Sequence, residues 1–201
     1  LQPHYNIAPG QPILTIRQSE KKQPEAAMLH WGLIPPWARD PSIGNKMVNA
    51  RSETAASKPS FRKAYHMRHC LIPVDGFYEW AAVSGKKHPY LFRRTDKELF
   101  SLAGLWERWE DKTTRNLIES CTILTTEANA LVAPIHHRMP VMIEPEDRDQ
   151  WLDASQDSRP LLASRPWTPF ESLAVSTYVN NAEHDGPACH SSPESSTPLF
   201  S

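Results

Sequence analysis

Residues 70–106 read CLIPVDGFYEWAAVSGKKHPYLFRRTDKELFSLAGLW and contain four short runs that are rich in β-branched and aromatic residues. Pro, Gly, Asp and other polar residues bound these runs, as is typical of strands joined by turns. Ser84-Gly-Lys-Lys87 lies between the second and third runs and predicts a hairpin turn. The stretch therefore predicts consecutive strands at residues 70–74, 77–83, 88–94 and 99–106.

Strand-like runs also dominate the rest of the sequence, where helix signals are few. Further strands are predicted at residues 13–17, 26–31, 117–126, 140–143 and 173–179. Helices are predicted at residues 57–65, 126–131 and 145–152. The last of these has Pro145 in its first turn and Trp151 on its inner face. This balance predicts one mixed α+β domain built around a curved sheet.

The composition is that of a globular domain with a buried core. Of the 201 residues, 39% are hydrophobic and 22% are charged, which argues against a disordered chain. No apolar run approaches the roughly 18 residues that a membrane span needs, so no membrane partner is expected. Cys70, Cys121 and Cys189 are odd in number and form no CxxC pair, which favours a reduced, intracellular protein.

The formal net charge of −1 conceals an uneven distribution along the chain. Residues 37–69 include seven basic and two acidic residues, whereas residues 144–201 include three basic and ten acidic residues. Two interpretations remain open. The basic segment could form a face that binds a polyanion, or the two segments could form oppositely charged, solvated surfaces, which is the commoner outcome.

The first candidate site is the segment Trp31-Gly-Leu-Ile-Pro-Pro-Trp37, which lies directly before the basic segment. Proteins hold single-stranded nucleic acid with aromatic rings that stack on bases and with cations that contact phosphates. A tryptophan can also cap the core. We expect Trp31, at a strand end, to cap the core, while exposure and burial of Trp37 are both compatible with the sequence.

Two further segments carry polar groups that suit chemistry. Asn49-Ala-Arg-Ser-Glu-Thr54 offers an amide and a guanidinium that could bind phosphate or carboxylate, or could form a structural capping network at a helix start near Ser52. Glu79 lies within an aromatic strand, where burial would raise the pKa of its carboxyl group toward that of a general acid. Strand alternation could instead place Glu79 in water.

Adjacent histidines occur in the segment Pro134-Ile-His-His-Arg-Met-Pro140. Because neighbouring side chains point in different directions, at most one of His136 and His137 is expected to face a given site, as an acid, a base or an oxyanion donor. No spacing of His and Cys matches a standard zinc pattern, and no phosphate-binding or dinucleotide-binding loop occurs. The sequence therefore predicts neither a metal site nor a cofactor.

Five segments, taken together and in order, resemble the SRAP (SOS-response-associated peptidase) family. They are Tyr5-Asn-Ile-Ala-Pro-Gly10, Trp31-Gly-Leu-Ile-Pro-x-Trp37, Asn49-Ala-Arg-Ser-Glu-Thr54, Gly76-Phe-Tyr-Glu-Trp80 and Ile135-His-His-Arg-Met-Pro140. The resemblance implies a single α+β domain at residues 1–187, with a contorted, mostly antiparallel β-sheet or pseudo-barrel and a few short helices. The polar residues 188–201 are expected to form a mobile tail.

The resemblance also implies an activity. Members of this family bind abasic sites in single-stranded DNA and cross-link to them through an N-terminal cysteine, after autocatalytic removal of the initiator methionine. The α-amine of this cysteine forms a Schiff base with the abasic aldehyde, and its thiolate then closes a thiazolidine ring. The expected partner is single-stranded DNA with abasic sites, and the protein is expected to be a monomer, cytoplasmic and nucleoid-associated if bacterial.

Catalytic roles are implied for three residues. Glu79 would protonate the sugar ring oxygen as the ring opens, and His136 would stabilise the opened sugar. Asn49 would position the α-amine of the cysteine. His137 receives no role.

A DNA-binding surface is implied around the basic segment. Arg51 would hold a flanking phosphate, and Trp37 would stack on or wedge against bases. Pro35 would shape the turn that carries Trp37, and Arg39 and Lys46 would add positive charge beside it.

The family motif Met-Cys-Gly-Arg does not occur in this sequence, and an internal cysteine has no free α-amine. We expect the catalytic N-terminal segment to be missing ahead of Leu1, so that the chain as written binds abasic DNA without cross-linking to it. Two other activities stay open: a single-stranded DNA-binding module that has lost the chemistry, and a peptidase acting on other proteins.

Overall fold

The computed structural model describes residues 2–193, in which short helices accompany eleven β-strands. The strands are β1 (Pro12–Gln18), β2 (Pro24–Trp31), β3 (Asn49–Arg51), β4 (His69–Val74), β5 (Gly76–Val83), β6 (Lys86–Arg94), β7 (Phe100–Glu110), β8 (Leu117–Glu127), β9 (Arg138–Pro140), β10 (Met142–Ile143) and β11 (Phe170–Ala174). The α-helices are α1 (Ser52–Ala55), α2 (Arg62–Met67) and α3 (Arg148–Leu152). Short 3-10 helices occur at Pro41–Lys46, Pro145–Asp147, Arg159–Leu162, Thr177–Asn180 and Pro187–His190. The helices within residues 2–193 are all too short to span a lipid bilayer.

Five strands close into a barrel in which every strand pairs with two others. β1 pairs antiparallel with β2 and β4, β4 pairs with β7, and β7 pairs with β8. The parallel pair of β2 with β8 closes the ring. Two short strands, β3 and β9, also pair with β8, and β10 pairs with β7. The predicted α+β pseudo-barrel with mostly antiparallel strands is confirmed.

Strands β4, β7 and β8 are buried on both faces over most of their length, whereas β1 and β2 keep exposed positions. On β4, Cys70 and Ile72 pack in one cluster, whereas Leu71 between them packs in a second cluster with the helices. Gly104 of β7 lies opposite Cys70, and a Cβ atom there would lie 2.8 Å from the Cys70 Sγ. The close approach of β4 and β7 at this point therefore requires glycine.

A second antiparallel sheet has the strand order β11-β6-β5 and supports the candidate site. β5 and β6 form a hairpin whose two turn residues, Ser84 and Gly85, have φ values of 51° and 76°. Two positive φ values suit the right-handed twist of a two-residue hairpin. The predicted hairpin is therefore present, with β6 beginning two residues earlier than predicted.

Helix α3 packs on the barrel through Trp151. Its side chain is fully buried, stacks on His69 with ring centroids 4.1 Å apart, and donates a hydrogen bond from Nε1 to the Cys70 carbonyl at 2.8 Å. Pro145–Asp147 and α3 together cover the predicted helix at 145–152. Both the helix and the inward direction of Trp151 are confirmed.

The other two predicted helices need correction. The helix predicted at 126–131 is wrong, because Thr126 and Glu127 belong to β8 and pair with β9. Beyond the strand, the Asn129 side chain accepts hydrogen bonds from the backbone of Leu131 and Val132 at 3.1 Å, which favours a turn over a helix. The helix predicted at 57–65 begins only at Arg62 and extends to Met67.

The end of the described chain also differs from expectation. The strand predicted at 173–179 ends at Ala174, and Ser176 caps the 3-10 helix Thr177–Asn180 by accepting a hydrogen bond from the Tyr178 backbone. Within the predicted tail, Cys189 is fully buried against Leu91, Val175 and Val179. The packed part of the chain therefore continues past residue 187, and residues 194–201 of the predicted tail lie outside the described residues.

Candidate functional site

Glu79 lies in the middle of β5 and faces a histidine from another part of the chain. Its Oε1 atom is 3.7 Å from Nδ1 of His136, and the Glu79 side chain is 23% exposed. On the same face of β5, Phe77 stacks on Phe92 with centroids 5.1 Å apart. Two of the three predicted catalytic side chains, Glu79 and His136, are thus brought together at the edge of an aromatic cluster.

The surroundings of Glu79 favour its protonated form. Burial raises the pKa of the Glu79 carboxyl group, while attraction to His136 and a hydrogen bond from the Trp80 backbone oppose this shift only in part. A carboxyl group with a raised pKa retains its proton closer to neutral pH and can donate it. Of the two interpretations that the sequence left open for Glu79, partial burial is therefore the one observed.

A tight turn orients His136 toward Glu79. Its Nδ1 atom lies 2.9 Å from the Arg138 carbonyl oxygen and 3.2 Å from the Arg138 backbone nitrogen. His137 is exposed and points elsewhere, although the two imidazole centroids are only 4.6 Å apart. One histidine of the pair therefore faces the acid, as the sequence indicated.

The basic side chains nearest to this turn flank the end of β8. Arg51 of β3 pairs with Thr125, and Arg138 of β9 pairs with Glu127, so the two short strands lie on opposite sides of β8. Arg51, Arg138 and His137 line a cavity of about 470 Å³ together with Glu127, Ala128 and Ala133. The lining of this cavity combines the basic Arg51 and Arg138 with the acidic Glu127, and its residue His137 directly follows His136 in the chain.

Asn49 occupies the same face of β3 as Arg51. Both are exposed, whereas Ala50 between them is buried. Among the contacts described for residues 2–193, none joins Asn49 to Glu79 or His136. The structure thus places Asn49 beside Arg51 and leaves its predicted role toward an α-amine as a prediction.

The pairing of Glu53 with Arg138 connects two of the sequence motifs and was not anticipated. Arg138 donates from Nη1 and Nη2 to the two Glu53 carboxylate oxygens at 2.7 and 2.8 Å, and from Nη2 to the Thr125 carbonyl at 2.6 Å. The Arg138 side chain is only 14% exposed. The sequence offered one signal for this pair, namely the opposite charges of the two motifs. An arginine and a carboxylate can pair through two parallel hydrogen bonds of fixed geometry.

Replacing Glu53 with glutamine should lower stability in a pH-dependent way. Hydrogen bonding to Arg138 lowers the pKa of Glu53 below its ordinary value of 4.5. The pair therefore stabilises the fold above about pH 4.5 and loses this effect as the pH falls through the lowered value. Because Glu53 is half exposed, we expect a loss of about 0.5–1 kcal/mol at pH 7. Urea unfolding at pH 7 and pH 3 measures it, with Glu98→Gln as an exposed control; a loss of equal size at both pH values would contradict the ionic origin.

A second, smaller cavity of about 300 Å³ surrounds Trp37. Its lining includes Arg39, Lys46 and the 3-10 helix that begins at Pro41. Trp37 is 56% exposed, and its Nε1 donates to the Pro59 carbonyl at 3.4 Å. Pro35, in contrast, is buried, and its carbonyl accepts a hydrogen bond from the Ala38 backbone. Pro35 therefore shapes the turn, and Trp37 presents its ring beside two cations.

Trp31 has the structural role that the sequence indicated. Its ring is half buried and packs against the interior cluster, and its Nε1 donates to the Val48 carbonyl at 2.9 Å. Neither Glu79 nor His136 lines the Trp37 cavity. The two candidate surfaces are therefore separate features of the domain.

The cysteines of the described chain are unsuited to nucleophilic chemistry. Burial raises the pKa of Cys121 to about 12, that of Cys70 well above its ordinary value, and that of Cys189 to a lesser degree. A thiol with a raised pKa supplies little thiolate, which is the reactive form. In residues 2–193, no group of three or more His, Cys, Asp or Glu side chains is arranged to hold a metal ion.

The sequence and the fold are both similar to those of known proteins. A model of the family described as "SOS response associated peptidase (SRAP)" matches residues 1–182. The abasic site processing protein YoqW of Bacillus subtilis is 42% identical over 190 residues, covering 92% of this chain and 84% of YoqW. The abasic site processing protein HMCES of Gallus gallus is 31% identical over 222 residues, covering 94% of this chain and 66% of HMCES.

Two crystal structures share this fold. A protein from Bacteroides thetaiotaomicron has a TM-score of 0.82 at 29% identity, with 91% of this chain and 82% of that chain covered. A protein from Bordetella bronchiseptica has a TM-score of 0.75 at 34% identity, with 85% and 86% covered.

Proposed function

The chain belongs to the SRAP family, and from this premise we propose that it processes abasic sites in DNA. Its relatives YoqW and HMCES carry that activity in their names. The observation that carries the proposal is the pair formed by Glu79 and His136, in which a carboxyl group of raised pKa lies 3.7 Å from an imidazole. An abasic sugar exists mainly as a closed ring, so a proton donor of this kind is needed to release its aldehyde.

The proposed substrate is single-stranded DNA that contains an abasic site. The exposed Arg51 supplies positive charge at the cavity that His137 lines, and Trp37 offers an exposed ring beside Arg39 and Lys46. Stacking on an aromatic ring requires an unpaired base, and each stacked base contributes about 1–3 kcal/mol. Exposed cations contribute affinity that decreases with salt.

The proposed first step is opening of the abasic sugar. Glu79 donates its proton to the ring oxygen as the bond between that oxygen and C1′ breaks, and the C1′ hydroxyl group loses its proton to water, which leaves the C1′ aldehyde. His136, held by the Arg138 backbone, hydrogen-bonds the opened sugar. The aldehyde is then available to a nucleophile.

The proposed second step forms a covalent cross-link to an N-terminal cysteine, which the protein would carry ahead of the residues of this sequence. The α-amine adds to the aldehyde carbon and water leaves, which gives a Schiff base. The thiol then adds across the C=N bond, with its sulfur bonding to carbon and its proton passing to nitrogen, which gives a thiazolidine. Cys70, Cys121 and Cys189 have no free α-amine and cannot form this ring.

Three oligonucleotides of one sequence test the function. One carries an abasic site, one its tetrahydrofuran analogue without an aldehyde, and one an intact base. We expect protein expressed from its complete reading frame to give a complex that survives denaturation with the abasic strand alone. The chain Leu1–Ser201, which has no N-terminal cysteine, should bind this strand without cross-linking to it.

Two outcomes would contradict these steps. A denaturation-resistant complex formed by the chain Leu1–Ser201 would contradict the N-terminal cysteine as the nucleophile. Equal binding of all three strands at one salt concentration, with no cross-link in any form of the protein, would instead support a single-stranded DNA-binding module without chemistry.

A further inference from the structure

The β5–β6 hairpin continues past Glu79 to an exposed basic tip. Cross-strand partners share a face of the hairpin, so the register places His88, opposite Ala81, and Lys86, opposite Val83, on the same face as Glu79. Lys87, opposite Ala82, lies on the other face, which also carries Trp80. Two consecutive lysines therefore point to opposite faces, and one of these faces holds the proposed acid.

Charge and exposure make the Glu79 face of the tip suitable for an anion. Lys86 and His88 are exposed, and neither forms an ion pair among the residues that the structure describes. On this face of the hairpin, Glu79 is the one acidic residue. The two-residue turn at Ser84 and Gly85 fixes the tip, so Lys86 and His88 keep a defined position relative to Glu79.

The length of the hairpin matches a short segment of DNA. Val83, which pairs with Lys86, is four residues from Glu79, and four residues of a strand span about 13 Å. Successive nucleotides of one strand advance about 3.4 Å along the axis of duplex DNA, and further in an extended single strand. A single strand whose abasic sugar lies at Glu79 and which follows this face would therefore bring a phosphate no more than about four nucleotides away to Lys86.

We propose that the Glu79 face of the hairpin tip binds the phosphate backbone of the DNA on one side of the abasic nucleotide, with Lys86 as the main contact and His88 beside it. The proposal rests on the function proposed above and adds a second binding region to it. The Trp37 cavity lies on a different element, between residues 37 and 46. The hairpin thus holds a stretch of strand that the Trp37 cavity does not.

Lys86 and Lys87 form a matched pair for the test, since they have equal charge and adjacent positions on opposite faces. The probe is a fluorescent single-stranded oligonucleotide with a central tetrahydrofuran analogue, and anisotropy is measured with the chain Leu1–Ser201 over a salt series. One phosphate contact on a single strand contributes about 0.7 to the slope of log Kobs against log[salt]. We expect Lys86→Gln to reduce the slope by about 0.7 and to weaken binding about fivefold at 0.1 M salt, and Lys87→Gln to change neither.

Shortened probes add a positional test. Oligonucleotides are cut one nucleotide from the analogue, either on its 5′ or on its 3′ side. The defect of Lys86→Gln should disappear with one of them and remain with the other. A defect that survives both cuts, equal defects in Lys86→Gln and Lys87→Gln, or no defect in either would overturn the proposal. Absence of binding by the unsubstituted chain would contradict the proposed function itself, and the hairpin contact with it.

Discussion

Replacing Glu79 with glutamine should slow cross-linking to an abasic strand by about 10²- to 10⁴-fold, the usual contribution of a general acid. Glutamine has nearly the same shape and can still donate an amide hydrogen bond, but it cannot transfer a proton to the sugar ring oxygen. The measurement is the rate at which the denaturation-resistant complex accumulates in protein expressed from its complete reading frame. Glu98→Gln, which removes an exposed carboxyl group in the loop before β7, is the matched control.

The cross-linking rate should also depend on pH in a way that is specific to Glu79. Because burial raises the pKa of Glu79, the unsubstituted protein should lose rate as the pH rises through that raised value, and the Glu79→Gln variant should lack this decrease. An open-chain aldehyde that cannot form a sugar ring removes the need for the acid. The difference between the two proteins should therefore shrink with such a substrate, and an undiminished difference would show that Glu79 acts at another step.

Unfolding should not account for the slower reaction. A carboxyl group with a raised pKa in the folded state is less favourable when ionised, so its contribution to stability decreases as the pH rises above its ordinary value of 4.5. At neutral pH the Glu79→Gln variant should thus be at least as stable as the unsubstituted protein. Thermal unfolding at pH 7 checks this directly, and a clearly lower Tm would assign Glu79 a structural role instead.

Strands were predictable from the sequence where they are long enough to show a recognisable pattern of residue types. Long runs such as 117–126 and 77–83 agree with β8 and β5 to within a residue at each end, because seven or more residues rich in β-branched, apolar and aromatic side chains define them. β3 was missed because three residues are too few to show a period. The parallel pairing of β2 with β8, which closes the barrel, follows from contacts between residues about 90 positions apart. Such contacts leave no local pattern.

For the candidate site, the sequence indicated which residues to consider but not how they pack together. Glu79, His136, Asn49 and Arg51 were selected because their motifs occur in a recognisable order. The burial of Glu79 could not be inferred, since it depends on the turn after β8 folding over β5. The bidentate pair of Glu53 and Arg138 depends on β3 and β9 flanking the same strand. The geometry of this pair is set by how the distant strands β3 and β9 align with β8, and residue type alone does not reveal it.

The close approach of Gly32 to Gly44 fixes the position of the loop that carries Trp37. Gly32 has a φ of 141°, and a Cβ atom there would lie 2.7 Å from the Gly44 carbonyl oxygen. Its backbone nitrogen donates to the Cys121 carbonyl on β8, so the residue cannot move away without losing a buried hydrogen bond. Gly44 lies in the 3-10 helix Pro41–Lys46, which lines the Trp37 cavity. The two backbones therefore touch at the base of the proposed DNA surface.

Gly32→Ala should lower the free energy of unfolding by about 2–6 kcal/mol, which is the sum of two costs. Backbone strain at a positive φ contributes about 1–3 kcal/mol, and the clash with the Gly44 backbone contributes about 1–3 kcal/mol. Two other glycines separate these costs. Gly10→Ala has only the strain, with a φ of 91° and no atom within 4 Å of the added Cβ, while Gly44→Ala has only the clash, 2.6 Å from the Gly32 carbonyl oxygen.

Urea unfolding of the three variants should therefore show Gly32→Ala as the most destabilised, by an amount close to the sum of the other two. Binding of single-stranded DNA should be weakened only by the substitutions that produce the clash between Gly32 and Gly44. Gly44→Ala and Gly32→Ala displace the turn beside Trp37 and should weaken binding of single-stranded DNA, whereas Gly10→Ala should leave binding unchanged at a temperature where all three are folded. If Gly32→Ala were no less stable than Gly10→Ala, the contact with Gly44 would not constrain the loop, and the position of Trp37 would have to be fixed by its neighbours in sequence.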